Sequence, residues 1–401
     1  MPRVLRILNR LVIGGPSKNA VYLTRYMQPD FETLLVIGGR EDHEQDADFL
    51  AASLGIKPYC IPDMKRPVSF FSDRAAYLKL KKIIKEFNPD IVHTHAAKSG
   101  ALGRLAAKHC KVPVIVHTFH GHVFHSYFNS LKTNIFIRAE RLLAGYTDAI
   151  IAISDVQKKE LTEQFKIAPA EKFRIIPLGL DLDSFVTDQE TKRKKFRSEF
   201  DLDDDTIAIG IIGRVVPIKN HSLFINALKK LLDTTNKKIK AFIIGDGESR
   251  NGIEQLAAST GIKYSTHTDS VHLHPLIFTS WRTDVDVVCA GLDIVALTSL
   301  NEGTPVSLIE AQAAGKAIVS TRVGGIADVV LENKTALLSD LEDAAGFSDN
   351  LVKLVEDNEL RKSFQDAGRD HVLIKYGYQR LVADMRNLYY ELLEKKSSSK
   401  K

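Results

Sequence analysis

The chain has 401 residues, 44% hydrophobic and 26% charged, with a formal net charge of +5. That length exceeds what one hydrophobic core usually organises and predicts two domains, and the composition excludes a chain without a packed core. Cys60, Cys110 and Cys289, odd in number and without a C-x-x-C pair, argue against a disulfide framework or a cysteine-built zinc site.

The opening MPRVLRILNRLVIGG is interrupted by Arg3, Arg6 and Arg10 and lacks a small-residue cleavage site, so it reads as a first strand and not as a secretory leader. No run reaches the roughly 18 apolar residues of a spanning helix, and a cytoplasmic protein is expected. Short Val- and Ile-rich runs then alternate with helical patterns, the signature of parallel sheets wrapped by helices. The predicted strands of the first half are Val4–Leu11, Glu32–Ile37, Lys57–Ile61, Ile91–His93, Pro113–His117, Ala149–Ile153 and Phe173–Ile176, with a helix at Asp73–Phe87. The polar stretch Asp181–Asp205 reads as a domain boundary. The alternation restarts with strands Ile207–Ile212, Lys240–Ile244, Asp293–Leu297 and Ala317–Thr321, followed by helical patterns at 346–376 and 378–393 and a polar tail, SSSKK, expected to be disordered. Residues 1–180 carry 26 Lys and Arg against 17 Asp and Glu, a net +9, and the remainder 29 against 33, a net −4. A basic half beside an acidic one suggests that they face different partners, although ordinary solvated lysines would give the same count.

The strongest chemical signal is NEGTPVSLIEA, residues 301–311. Thr304 suits an N-cap and Pro305 a first helical position, so the N–H groups of Val306 and Ser307 would form an anion site at a helix start. Glu302 precedes that site and Glu310 follows inside the helix, an arrangement that offers acceptors to hydroxyls on either side of a bound diphosphate. In IIGRVVPIKNH, Arg214 leaves the end of a strand and Lys219 follows, a pair able to neutralise a diphosphate without a metal. Gly14 and Gly15 in VIGGPSKNA permit a tight turn and close backbone approach, but this is not the G-x-G-x-x-G of a dinucleotide-binding dehydrogenase. His93, His95, His117, His120, His122 and His125 cluster without the H-E-x-x-H spacing of a metal site. His95 and His120, at strand ends, are read as pointing toward sugar hydroxyls, while His122 and His125 pack or bond locally. The segment 124–145 combines aromatics with Lys132, Arg138 and Arg141; it is either a membrane-surface contact or a core helix with a solvated face.

Together these residues resemble the group one, or family four, glycosyltransferases over nearly the whole chain. The resemblance rests on Glu302 with Glu310 (E-x7-E), Gly213-Arg214 with Lys219, GDGES at 245–249 and His120-Gly121. It implies an α/β fold of two doubly wound Rossmann-like domains facing across a cleft (GT-B). Residues 1–180 would bind the acceptor, 181–377 the donor, and 378–401 would supply a helix packing back on the first domain. Arg214 and Lys219 would hold the donor diphosphate, with backbone from Gly303, Thr304, Pro305, Val306, Ser307 and Gly15. Glu310 would take the ribose, Glu302 and His120 the donor sugar, and Gly245, Gly247, Trp281 and Arg282 the base. His95, Lys98 and Ser99 would meet the acceptor.

The resemblance further implies retention, no protein nucleophile and no metal or other cofactor. Two departures stand out: Tyr264–Ser280 takes the place of the usual short strand and glycine before the base loop, and Leu178 stands where relatives carry a polar residue. The expected function is transfer from a nucleotide-diphosphate sugar, a UDP-sugar by analogy, to a lipid-linked or polysaccharide-precursor acceptor. Contact with the inner face of the cytoplasmic membrane would accompany it, and no nucleic acid would be bound. A sugar-nucleotide 2-epimerase and a non-catalytic sugar-nucleotide or glycan-binding protein are the alternatives; products formed without acceptor separate the first.

Overall fold

The computed structural model describes residues 1–12, 14–40, 47–65, 67–120, 130–269 and 274–398, with backbone alone for 130–132 and 366. Two compact units form, one from Met1–Leu180 with Tyr376–Lys401 and one from Asp181–Lys375.

The first unit holds Arg3–Leu8 (β1), Glu32–Gly38 (β2), Tyr59–Ile61 (β3), Ile91–His95 (β4), Val114–Phe119 (β5), Ala149–Ala152 (β6) and Phe173–Ile175 (β7). They pair in parallel in the order β3-β2-β1-β4-β5-β6-β7. Such strands are covered on both faces, and successive residues of β1 serve opposite ones. Val4 joins Ile91, Val114, Val116 and Ile151 in a core closed by the helices Gly15–Tyr26 and Tyr378–Ser398, while Leu5 and Ile7 join Val92 and Ile115 against Phe70–Phe87 and Ala97–His109. The last helix is seated by Leu381, Met385, Leu388 and Leu392, spaced three and four apart. The chain returns to this unit where Leu180 N–H donates to Tyr376 O (2.7 Å) and Tyr378 N–H to Leu180 O (3.0 Å). Leu178 is buried there, and its carbonyl accepts from Arg380 at 2.7 Å.

The second unit holds Ile207–Ile212 (β8), Ile239–Ile244 (β9), Tyr264–Thr266 (β10), Leu276–Ser280 (β11), Ile294–Leu297 (β12), Ala317–Thr321 (β13) and Ala336–Ser339 (β14). The order is β10-β11-β9-β8-β12-β13-β14, again with parallel pairings. Without the edge strand β10 its six strands repeat the order of the first sheet without β7. In each sheet the order reverses beside the first strand, between β1 and β4 and between β8 and β12, and ligands of doubly wound folds bind beyond the carboxyl ends at such a point.

Several sequence expectations are corrected. The stretch 264–280 does contain a strand before the base loop, β11, preceded by β10; residues 270–273 lie outside the described residues. β14 was also not predicted. The second unit begins at Asp181, at the start of the expected boundary, and that stretch also carries an unexpected helix, Gln189–Glu199, which drives Phe196 against Phe242 (5.1 Å between ring centroids) and onto Gly291, where a Cβ would lie 2.1 Å from the Phe196 ring. The pattern 346–376 breaks at Asp357, whose carboxylate accepts the Leu360 N–H at 2.8 Å and starts a new helix, Asn358–Tyr376. The terminal helix runs to Ser398, so Ser397 and Ser398 are ordered. Among the described residues no helix is long and apolar enough to cross a membrane.

Candidate active site

In the second unit the loops leaving β8 and β12 are stitched together by backbone. Thr298 Oγ1 donates to Lys219 O (2.9 Å) and Leu300 N–H to Ile218 O (2.8 Å). This brings Lys219 Nζ to 2.5 Å from Glu302 Oε1, which also accepts from Ser299 Oγ at 2.6 Å. The Glu302 loop is fixed from behind by Gly324 and Gly325, where a Cβ would lie 1.9 Å from the carbonyl oxygens of Glu302 and Gly303 respectively. Arg214 is exposed and its guanidinium pairs with none of the described residues. Two cations, one pinned and one open, therefore stand at the switch point of this sheet.

The following helix is Val306–Ala313, one residue later than predicted, and no side chain caps it. Pro305 holds the N-cap position and its carbonyl accepts from Leu308 N–H (3.1 Å), which displaces Thr304 from the capping role. The N–H groups of Val306 and Ser307 still begin the helix without intrahelical acceptors, beside the exposed Gly303. Glu310 is buried between Ile309 and Ala311.

The loop after β9 lies against the loop after β8. Gly245 has φ +139°, and a Cβ there would lie 2.0 Å from Gly213 O; at Gly247 it would lie 2.4 Å from Val215 O. Asp246 binds Ser280 Oγ (2.8 Å) and Arg250 (2.6 Å); although burial pushes its carboxyl up, these bonds and the Gly247 N–H hold it below the usual range. Trp281 is 37% exposed at the end of β11. Arg282, expected near the base, is held by neighbouring carboxylates. Its guanidinium is clamped by Asp284 (2.8 Å) and Glu199 (2.9 Å), and hydrogen bonding to Glu199 raises its pKa further.

In the first unit Gly14 precedes the helix Gly15–Tyr26, and Gly15 is buried at its start. The three residues expected to meet an acceptor are not free surface groups. His95 is fully buried, Ser99 Oγ is spent on His95 O, and Lys98 Nζ pairs with Asp73 Oδ1 at 2.5 Å and donates to Pro67 O. His95 Nδ1 and His120 Nε2 lie 2.9 Å apart with their rings stacked. Behind them His93, its ring 4.2 Å from that of His95, bonds Tyr389 OH (2.7 Å) and Thr118 Oγ1 (2.7 Å), and Tyr389 OH bonds Arg6 (3.1 Å). Burial holds His93, His95 and His117 well below the ordinary histidine range, with the Arg6 charge a further cause at His93; burial brings His120 to about 3.

This edge therefore offers neutral imidazoles. Among the described residues no group of three or more His, Cys, Asp or Glu could hold a metal ion. His122, His125 and Gly121 lie outside the described residues. Segment 130–145 is a helix, Ser130–Gly145, packed through Phe136, Ile137 and Ala144, with Arg141 donating to Phe165 O at 2.8 Å. Sequence reasoning missed Ser299, Arg6 and Tyr389; the one signal for Arg6 was a cation inside an apolar strand.

Residues 192–371 match the family model described as glycosyl transferases group 1, and residues 13–184 that of glycosyltransferase family 4. The chain is 27% identical over 345 residues, 85% of each chain, to UDP-Gal:alpha-D-GlcNAc-diphosphoundecaprenol alpha-1,3-galactosyltransferase of Escherichia coli. It is 28% identical over 322 residues, 76% of this chain and 72% of the other, to D-inositol 3-phosphate glycosyltransferase of Corynebacterium jeikeium (strain K411). The fold is that of Anabaena Alr3699/HepE in complex with UDP and glucose, with a TM-score of 0.81 at 16% identity over 98% of this chain and 100% of that one.

Proposed function

We propose that this chain, which belongs to the group 1 glycosyl transferases and is a glycosyltransferase of the GT-B fold, moves a sugar with retention from a UDP-sugar to a lipid-linked or polysaccharide-precursor acceptor. The observation that carries the donor assignment is the Lys219–Glu302 contact of 2.5 Å beside the open Arg214 guanidinium. In this reading the second unit holds the donor and the first serves the acceptor. The bond from the anomeric carbon to the diphosphate breaks, and its electron pair goes to the phosphate oxygen, where Arg214, Lys219 and the N–H groups of Val306 and Ser307 stabilise the charge. The acceptor oxygen bonds the anomeric carbon on the same face, and its proton leaves on the departing phosphate. Glu302 orients the sugar hydroxyls, Glu310 the ribose, and His120 contributes a neutral imidazole. With Arg214 and Lys219 serving the diphosphate, no divalent metal takes part.

The UDP donor and the lipid-diphosphate acceptor are supported by the Escherichia coli relative, a UDP-Gal:alpha-D-GlcNAc-diphosphoundecaprenol transferase, which this chain matches over 85% of both lengths. The test is calorimetric titration of nucleotide diphosphates into Lys219→Ala. UDP affinity falls by about 1–3 kcal/mol, the scale of a charge-assisted hydrogen bond. Unchanged affinity for every nucleotide diphosphate removes the donor assignment.

A further inference from the structure

Ser299, two residues beyond β12, is fully buried, and no step of the proposed reaction uses it. Its hydroxyl donates to Glu302 Oε1 at 2.6 Å, the same oxygen that Lys219 Nζ reaches at 2.5 Å. Both bonds fall on one oxygen, and Oε2 accepts none from the described residues. The serine is itself held on every side. Its carbonyl accepts the Thr321 Oγ1 proton at 2.8 Å from the end of β13, and its two neighbours are bonded to the loop after β8, Thr298 Oγ1 to Lys219 O and Leu300 N–H to Ile218 O. The backbone of Glu302 is held as well, because its carbonyl accepts the Gly325 N–H at 3.0 Å.

The two bonds to Oε1 differ in what they survive. Lys219 is a point charge at the end of a flexible four-carbon stem, and that charge is what a diphosphate attracts. In the proposed reaction the donor draws it away, which leaves the Glu302 carboxylate without its cation and beside incoming phosphates of the same sign. Ser299 is neutral, short and sealed from solvent, so an arriving anion does not compete for it. Its bond to a carboxylate is also of the stronger, charge-assisted kind.

We propose that Ser299 is a positioning residue for sugar transfer: it keeps Glu302 in place once Lys219 has turned to the diphosphate, so that Oε2 meets the hydroxyls of the donor sugar. Ser299 touches no substrate and acts through Glu302 alone. UDP, which lacks the sugar, gains nothing from this arrangement, whereas a UDP-sugar does. The inference rests on the reading of Glu302 as the sugar-orienting acid and of Lys219 as a phosphate cation, and it adds what holds the one while the other is engaged.

Crystal structures of Lys219→Ala and of Lys219→Ala/Ser299→Ala, both without nucleotide, read the anchor directly. Glu302 keeps its place in the first and leaves it in the second. A carboxylate displaced in the first, or unmoved in the second, overturns the proposal. With Lys219 intact, Ser299→Ala stays folded and keeps its UDP affinity by calorimetry, while kcat for hydrolysis of UDP-galactose without acceptor falls by roughly ten- to a hundredfold, the scale of a misplaced reacting geometry. An unchanged kcat, or a UDP affinity that falls in step with kcat, also overturns it, the latter because a merely structural serine would disturb both. If the unaltered chain neither binds UDP nor hydrolyses UDP-galactose, the proposed donor is removed, and the two crystal structures still decide for or against Ser299.

Discussion

Beyond β8 and β12 the side chains at the switch point are charged and reach solvent; beyond β1 and β4, in a sheet that shares the order of six strands, they are imidazoles sealed from it. Arg214 is open and Lys219 is paired with Glu302 at 2.5 Å, an edge built to receive an anion. His93, His95 and His117 are fully buried, and the cation behind them, Arg6, is bonded to Thr24 and Tyr389 with no carboxylate partner among the described residues. A buried charge of that kind is costly, and its field helps to keep His93 neutral. The shared topology supplies a crevice twice. Residue chemistry makes one a cationic edge, the anion grip of the proposed reaction, and the other a neutral hydrogen-bonding wall.

Acid tests the contrast most severely. Burial places His120 at about 3, and burial with the Lys219 charge places His221 of the second unit at about 4, both below the ordinary 6.5. The unfolded chain takes up protons on these groups as pH falls below 6.5 while the folded chain does not. Stability is therefore full above that pH and declines toward the folded values, by about 1.4 kcal/mol per pH unit for each such histidine. Four depressed histidines, His93, His95, His117 and His120, lie in the first unit, against His221 and His371 in the second. The first unit accordingly unfolds first on acidification. Trp281 is the only tryptophan and belongs to the second unit, so far-ultraviolet circular dichroism falls before its fluorescence shifts. Coincident transitions would break the comparison.

The next effect belongs to the anion grip. Arg214→Ala lowers transfer by about 10²–10³-fold, the scale of removing one fixed charge-stabilising donor. Because Arg214 is exposed and unpaired among the described residues, unfolding free energy moves by less than about 0.5 kcal/mol. A variant that loses activity only in proportion to lost stability contradicts the assignment.

The charged edge was legible in sequence because its residues follow strand ends at short range: Arg214 two residues beyond β8, Glu302 five beyond β12. Glu310 was legible as an acid inside an apolar helix. The imidazole edge was half legible. His95 and His120 were recognised as strand-end residues, but His95 is buried against His93, which is bonded to Tyr389, nearly the whole chain away. The partners of Lys98 and Ser99, Asp73 and a strand carbonyl, were not legible for the same reason, since they are set by packing. β10 and β14 have only three and four residues, too few for a period to emerge. Helix Phe70–Phe87 was expected to begin at Asp73, where its apolar stripe starts.

The smallest effect concerns the link from the terminal helix to the imidazoles. Arginine only donates, so Tyr389 OH accepts from Arg6 and gives its own proton to His93 Nδ1; His93 then donates from Nε2 to Thr118. Tyr389→Phe takes one of two buried partners from each of Arg6 and His93, which keep Thr24 and Thr118, and costs about 1–3 kcal/mol. The helix itself stays docked through Leu381, Met385, Leu388 and Leu392. In urea the midpoint of the first unit falls while Trp281 fluorescence keeps its own. A loss shared equally by both probes would mean that the two units unfold as one and that the buried wall has no stability of its own.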